Sequence, residues 1–284
     1  MKISVIMLAA GASSRYGKPK LFELVANIPI FIHSLLAFLH LKNLKHIVLV
    51  HPKNSSTKQL TKYRTALQKF INQNKTLSTQ KKRRLASIIF TAGGNKRFIS
   101  VFNGLKTLKN LSAANDLVLI HDSARPLIHS QDISTLVKAA TPKKERTNNS
   151  HKSKNSTANI GIVPGEPVVN TIKIITEKTV TKRTSVTTLK ENLDRSSLRA
   201  VTTPQAFPFL PIYQSYEKLL TAYQQANTRK NHYPHFTIPT DDSEVYTRSG
   251  GHQVKIINIA NENPKLTTQQ DYLILKELFK KRRR

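Results

Sequence analysis

No cysteine occurs among the 284 residues, which excludes disulfides, thiolate metal ligands and thiol nucleophiles. A reducing cytoplasm is compatible with that absence and is the expected location. Nor does any apolar run approach the roughly 20 residues that cross a bilayer. Met1 to Ala10 runs straight into a glycine turn and reads as a first buried strand, not a signal peptide. Negative charge is scarce as well: 16 Asp+Glu stand against 46 Lys+Arg, a formal net charge of +30. Such a field attracts polyanions, and a basic nucleic-acid-binding protein is one reading of it. Against that reading, the chain has no motif that reads DNA or RNA, and the basic run Lys81-Lys82-Arg83-Arg84 has no interleaved aromatic residues for stacking.

What is present is an α/β pattern. Ile3–Ala10, His46–His51, Ser87–Ala92 and Asp116–Asp122 are short Val- and Ile-rich runs, the form of strands buried on both faces. Helical candidates lie between them. Phe31–Leu41 is apolar; Leu60, Tyr63, Leu67, Phe70 and Ile71 recur at helical spacing, as do Phe98, Val101, Phe102, Leu105 and Leu108. Alternation of this kind predicts a mostly parallel sheet with right-handed crossovers. We expect one domain over 1–284, with polar surface insertions at 72–84 and 142–157; the second contains no hydrophobic residue type. Further strands are expected at Ile160–Val163 and Val254–Ala260. A helix is expected over Leu210–Gln225, and a last one is announced by the capping box Thr268 and Asp271. Within 167–200, the Thr-, Val- and Ile-rich stretch 171–190 alternates with period two, predicting a projecting hairpin that needs a partner, most simply a second subunit.

The densest chemical signal is LAAGASSRYGKPK at 8–20, directly after the first strand. Small residues let successive backbone N–H groups form a concave anion cradle, and Arg15 and Lys20 add two cations at its mouth. The turn is neither a Walker loop nor a G-x-G-x-x-G fingerprint. Six segments follow in order: GGNKRFISVFNGL at 93–105, IHDSARP at 120–126, PVVNTIK at 167–173, DR at 194–195 with TTPQAF at 202–207, PTDDSEV at 239–245 and ENPKLT at 262–267. Asp122 ends a strand, where ligands bind in open α/β sheets; it reads equally as a turn or cap residue, or as the partner of Arg125 in a loop-ordering salt bridge. Asp241, Asp242 and Glu244 read either as a magnesium site or as an acid-rich helix start. No histidine pair has metal-ligand spacing, and no residue is assigned to a metal.

Together these segments resemble the polyol-phosphate cytidylyltransferase family, most closely its members that act on 2-C-methyl-D-erythritol 4-phosphate; members acting on ribitol 5-phosphate are the nearest alternative. The resemblance implies a Rossmann-like nucleotidyltransferase domain with a protruding β-arm at 167–200, a homodimer formed through that arm, CTP and a polyol phosphate as substrates, and a divalent cation, Mg²⁺. It implies that Arg15, Lys20 and Lys265 are catalytic. Ala9, Ala10, Gly11, Ala12, Gly94, Asn95, Ser100 and Asp122 would bind the nucleotide. Arg125, Thr171, Arg195 and Thr203 would bind the polyol phosphate, with Thr171 and Arg195 reaching across the dimer. Three positions depart from the family pattern: Ser13 replaces a glycine and needs a tolerant backbone angle, Leu21 replaces a glutamine, and Asn170 replaces an aspartate.

Overall fold

A computed structural model describes residues 1–11, 13–53, 57–141, 159–180, 185–228, 236–259 and 262–282. The expected surface segment 142–157 lies outside them. In chain order the elements are β1 (Ile3–Leu8), β2 (Leu24–Val25), β3 (Ile28–Pro29), α1 (Ile30–Leu36), β4 (Leu44–His51), α2 (Thr57–Gln73), α3 (Thr79–Ala86) and β5 (Ile89–Ala92). There follow α4 (Arg97–Leu108), β6 (Leu117–Asp122), α5 (Ser130–Ala140), β7 (Gly161–Pro167), β8 (Lys173–Val180) and β9 (Ser185–Asn192). The chain continues through β10 (Arg199–Val201), β11 (Gln205–Pro208), α6 (Phe209–Thr228), α7 (Asp242–Glu244), β12 (Val254–Ile257) and α8 (Gln269–Arg282).

The main sheet runs β10-β7-β11-β6-β1-β4-β5, with β12 also paired to β7. β5, β4, β1 and β6 are mutually parallel, whereas β11 runs antiparallel to both β6 and β7. Period-two alternation explains why this sheet has helices on both faces. Val5, Met7, Ile47, Leu49, Leu117 and Leu119 enter one apolar layer, closed by α1, α2, α5 and α8. Their sequence neighbours Ile6, Val48, Val50, Val118 and Ile120 enter the opposite layer, closed by α4 and α6. Each fully buried aliphatic side chain contributes about 1.5–3 kcal/mol, so the central strands are the fixed frame of the molecule.

The first apolar helix is shorter than its run: α1 ends at Leu36, and Ala37–His40 tightens into a 3-10 turn. Residues 72–84 lie at the surface and are regularly folded. They fold as the end of α2, a turn, and most of α3, which Ser78 caps by accepting from the Lys81 N–H. Leu85 is fully buried, and Arg84 donates to the carbonyls of Leu39 and Lys42, so this basic segment is docked by its own arginine. The Thr268–Asp271 box forms reciprocally, at 2.7 Å and 3.3 Å, and Leu275 of α8 is fully buried. β8 and β9 pair only with each other among the described residues, and they leave Ile175 and Leu189 half exposed.

Candidate active site

Because β1, β4, β5 and β6 are parallel, their C-terminal ends meet at one edge, and the residues after each strand wall one cleft of about 560 Å³. β1 leads into the 9–15 turn, β4 into Pro52 and Lys53, β5 into Gly93–Arg97, and β6 into Asp122–Arg125. The segment 263–267 closes the remaining side. Its Asn263 is stitched to the β6 loop: its carbonyl accepts from Arg125 Nη1 at 2.8 Å, and its Oδ1 accepts from the Leu127 N–H at 3.1 Å. The Leu266 N–H donates to the Ala124 carbonyl at 2.8 Å.

The first turn has the backbone its sequence calls for. Ser13 lies in the left-handed region at φ 55°, where the family pattern has glycine, and its carbonyl accepts from the N–H groups of Tyr16 and Gly17. Ala10, Gly11, Ser13, Ser14 and Arg15 line the cleft. Ala9 is a correction: it is buried, its N–H donates to the Val50 carbonyl and its carbonyl accepts from the Tyr63 hydroxyl, so it shapes the turn from beneath. Ala12 lies outside the described residues.

Opposite this turn, Gly93 and Gly94 pass where side chains could not. A Cβ at Gly93 would stand 2.7 Å from Ala10 Cβ and 2.8 Å from Ser100 Oγ; one at Gly94 would stand 2.2 Å from Ile99 Cγ2. Ser100 Oγ accepts from the Gly94 N–H at 3.0 Å and donates to the Lys96 carbonyl. Ser100 therefore sets the shape of the turn, and Gly94 and Asn95 present its rim to the cleft.

Two cations hold one carboxylate at the cleft. Asp122 Oδ2 receives Lys265 Nζ at 2.6 Å, and Oδ1 lies 3.8 Å from Arg97. Burial alone would raise the Asp122 pKa, but Arg97 and Lys265 outweigh it and hold the carboxyl far below the usual carboxylate range. The expected ion pair with Arg125 is not what forms; Arg125 turns to Asn263, and its guanidinium pKa is lowered by burial. Lys20 Nζ donates to the Leu266 carbonyl at 2.7 Å. Its ammonium pKa is lowered by burial and by the charges of Lys265 and Arg15. Cations gathered around an open cleft form a site suited to a polyanion.

One assigned residue serves below the floor. Thr203 is buried, and its hydroxyl accepts from the Asp122 N–H at 3.1 Å while donating to His121 Nδ1 at 3.0 Å. It is therefore corrected from substrate contact to support of the strand end. Thr171 and Arg195 are exposed beside the hairpin and do not line this cleft; Arg195 Nη1 donates to the Val169 carbonyl. The acids of 241–244 are engaged structurally. Asp241 caps α7, Asp242 is fully buried against Arg97 and the Tyr216 hydroxyl, and Glu244 receives Thr240 and Arg248. Among the described residues no group of three His, Asp or Glu could hold a metal ion. Asp122, the one carboxylate facing the cleft among the described residues, is already covered by two cations. The described residues therefore do not build a metal site of their own.

Arg97 is the main residue that residue-type reasoning passed over, along with Lys53, Lys96 and Thr267 on the cleft wall. Its signal was present: an arginine at the first position of α4, immediately after a glycine turn at a strand end.

The fold and the cleft define a nucleotidyltransferase with a Rossmann-like sheet. The chain belongs to the 2-C-methyl-D-erythritol 4-phosphate cytidylyltransferase family (IspD), whose family model matches residues 3–281. It is 30% identical to the 2-C-methyl-D-erythritol 4-phosphate cytidylyltransferase of Bacillus velezensis over 282 residues, covering 99% of this chain and 97% of that one. It is also 30% identical to the protein of that name from Clostridioides difficile, covering 99% and 95%. Among solved structures, 4-diphosphocytidyl-2C-methyl-D-erythritol synthase from Anaerococcus prevotii superposes with a TM-score of 0.67 at 22% identity, over 98% of this chain and 96% of that one. The enzyme from Francisella tularensis superposes at 0.62 with 19% identity, over 97% and 100%. At those identities the structures bear on the fold, and the fold is the same.

Proposed function

We propose that this chain transfers the cytidylyl group of CTP to 2-C-methyl-D-erythritol 4-phosphate and releases pyrophosphate. The observation that carries this reading is the cluster of Arg15, Lys20, Arg97 and Lys265 around Asp122, at the strand edge where the glycine turn of 93–95 offers backbone groups to a base. A phosphate oxygen of the polyol substrate attacks the α-phosphorus of CTP. The bond from that phosphorus to the bridging oxygen of the β-phosphate breaks, and pyrophosphate carries away its electrons. The attacking monoester is largely ionised near neutral pH (second pKa about 6), so no strong general base is needed. What the protein supplies is position and compensating charge.

Arg15 and Lys20 bind the triphosphate and stabilise charge on the equatorial and leaving oxygens. Lys265 lies between the nucleotide and the incoming phosphate and eases the approach of two anions. Gly94 and Asn95 present the backbone that reads the cytosine edge, with Ser100 holding their turn, and Asp122 lies where a ribose hydroxyl reaches the strand ends. Since the described residues offer no ligand set of their own, a magnesium ion would be held by the phosphate oxygens of the bound nucleotide and by water. When bound, it neutralises triphosphate charge.

The hairpin of β8 and β9, with Val169, Ile175 and Leu189 exposed, reads as a dimer arm of a single-domain enzyme. In that reading Thr171 and Arg195 serve the neighbouring protomer's cleft, beside Arg125. No helix among the described residues is long and apolar enough to cross a membrane, and we place the reaction in the cytoplasm. The test is pyrophosphate release from CTP and Mg²⁺ with either 2-C-methyl-D-erythritol 4-phosphate or ribitol 5-phosphate. Release with the first alone supports the reading; preference for the second, or release with neither, overturns the substrate.

A further inference from the structure

From the cleft wall inward, charges alternate in a row whose inner end, the pair of Arg97 and Asp242, has no part in the steps described above. Lys265 Nζ lies 2.6 Å from Asp122, Asp122 lies 3.8 Å from Arg97, and Arg97 forks onto both oxygens of Asp242 at 2.9 Å and 2.8 Å. The Tyr216 hydroxyl donates to the same carboxylate at 2.5 Å. The two ends of the row differ most in exposure: the Lys265 side chain is 40% exposed, whereas that of Asp242 is fully buried, with Asp122 at 12% and Arg97 at 31% between them. Lys265 is thus the free end and Asp242 the fixed end.

Resting on the reading under Proposed function, we propose that Arg97, anchored by Asp242, is a positioning residue that releases Lys265 to the substrate. To meet an incoming phosphate, Lys265 must leave Asp122. A carboxylate so nearly buried cannot be left without a counter-charge, because the desolvation cost would draw the lysine back. Arg97 is held by a bidentate pair within reach of the other carboxylate oxygen, and it takes over that neutralisation. Asp122 stays ionised and in place while the ammonium crosses to the phosphate. Two loose lysines could not do this; the planar guanidinium can face Asp242 and Asp122 at once.

The charge argument gives a test that loss of packing cannot mimic. Without Arg97, the buried Asp122 charge traps Lys265, so removing that charge restores activity. The enzyme Arg97→Gln is compared with Arg97→Gln/Asp122→Asn in pyrophosphate release from CTP, Mg²⁺ and 2-C-methyl-D-erythritol 4-phosphate. Should Arg97→Gln fail to fold, the same step is made from Arg97→Gln/Asp242→Asn, in which both charges of the buried pair are gone and amides remain. The expected result is a kcat at least about tenfold below wild type with KM for CTP changed far less, the loss of an interaction made chiefly in the transition state, and a severalfold recovery of kcat on adding Asp122→Asn. In the wild-type background Asp122→Asn lowers activity, so the sign of its effect reverses. An unchanged or further reduced kcat on adding Asp122→Asn overturns the inference. Wild-type enzyme that releases no pyrophosphate under these conditions refutes the proposed function instead.

Discussion

Lys20 reaches the carbonyl of Leu266 across 246 positions of sequence, at 2.7 Å. This bond joins the first turn of the chain to the segment that carries Lys265, so the two lysines proposed to act on the phosphates are tied to one loop. Lys20 is doubly placed: its ammonium faces the cleft, and it fixes the loop that closes it.

We predict that Lys20→Ala lowers kcat by about 10²–10³, the range for loss of one preorganised charge donor. Because burial and the charges of Lys265 and Arg15 lower its pKa, the free enzyme loses this cation at a lower pH than an ordinary lysine would. The alkaline limb of kcat/KM should therefore begin below about 10.4. Steady-state rates at closely spaced alkaline pH values check this. A profile flat up to the ordinary lysine range contradicts the assignment.

Gly93 and Gly11 should respond in opposite ways to the same added methyl group. At Gly93 the new Cβ meets Ala10, Ser100 and the His51 carbonyl; at Gly11 it meets nothing within 4 Å. Gly93→Ala is expected to cost about 1–3 kcal/mol of stability through overpacking and to raise KM for CTP, because it pries the glycine turn from the first turn. Gly11→Ala should melt with wild type. Calorimetry of both variants, with CTP kinetics for the first, decides the point.

His121 should make the protein sensitive to mild acid. Its Nε2–H donates to the Arg125 carbonyl and its Nδ1 accepts from Thr203, so both nitrogens are used by the neutral ring. Burial pushes its pKa down to about 4, against about 6.5 unfolded. The folded state therefore binds the proton less readily than the unfolded chain. The stabilisation is complete above the unfolded value and drains away as pH falls from there towards 4. At about 1.4 kcal/mol per pH unit, roughly 3 kcal/mol is at stake. Urea melts across that window should show a clearly shallower pH slope for His121→Gln than for wild type. Equal slopes would mean that His121 is not the group responsible.

Arg195 tests the arm. An arginine–phosphate contact contributes about 1.5–3 kcal/mol, so Arg195→Ala is expected to raise KM for the polyol phosphate about tenfold or more while sparing KM for CTP. Since Arg195 does not line its own protomer's cleft, subunit exchange offers a sharper measurement. Mixed dimers of Arg195→Ala and Lys20→Ala protomers contain one intact site and, at polyol phosphate well below the raised KM, should turn over faster than either parent. No recovery after verified exchange would place Arg195 in its own protomer's site.

The parallel frame was legible because β1, β4 and β6 have no polar face: runs such as Ile3–Leu8 and Leu117–Asp122 can only be central strands. The anion cradle was legible too, since small residues beside Arg15 and Lys20 state their purpose locally, and Ser13 adopts the strained angle its position demands. What one sequence hides is partnership at a distance. Asp122 stands three residues before Arg125, and that nearness hides that its cations come instead from Arg97 and from Lys265, 143 positions away. Thr203 gives no local sign that its hydroxyl is consumed by Asp122 and His121. The helix α3 escaped notice because its charged surface carries a single buried anchor, Leu85.

The two apolar layers have a consequence for how variation accumulates in this chain. Val5 and Ile6 are neighbours along β1, yet the plane of the sheet separates them and they share no layer. Cavities cut on opposite sides should add without coupling, as they do at sites with no shared partners, while equal cavities on one side should not. Drift in the α4–α6 layer can then proceed without compensation in the α1–α8 layer. Only the strand-end rim, where both layers stop at the cleft, ties their histories together.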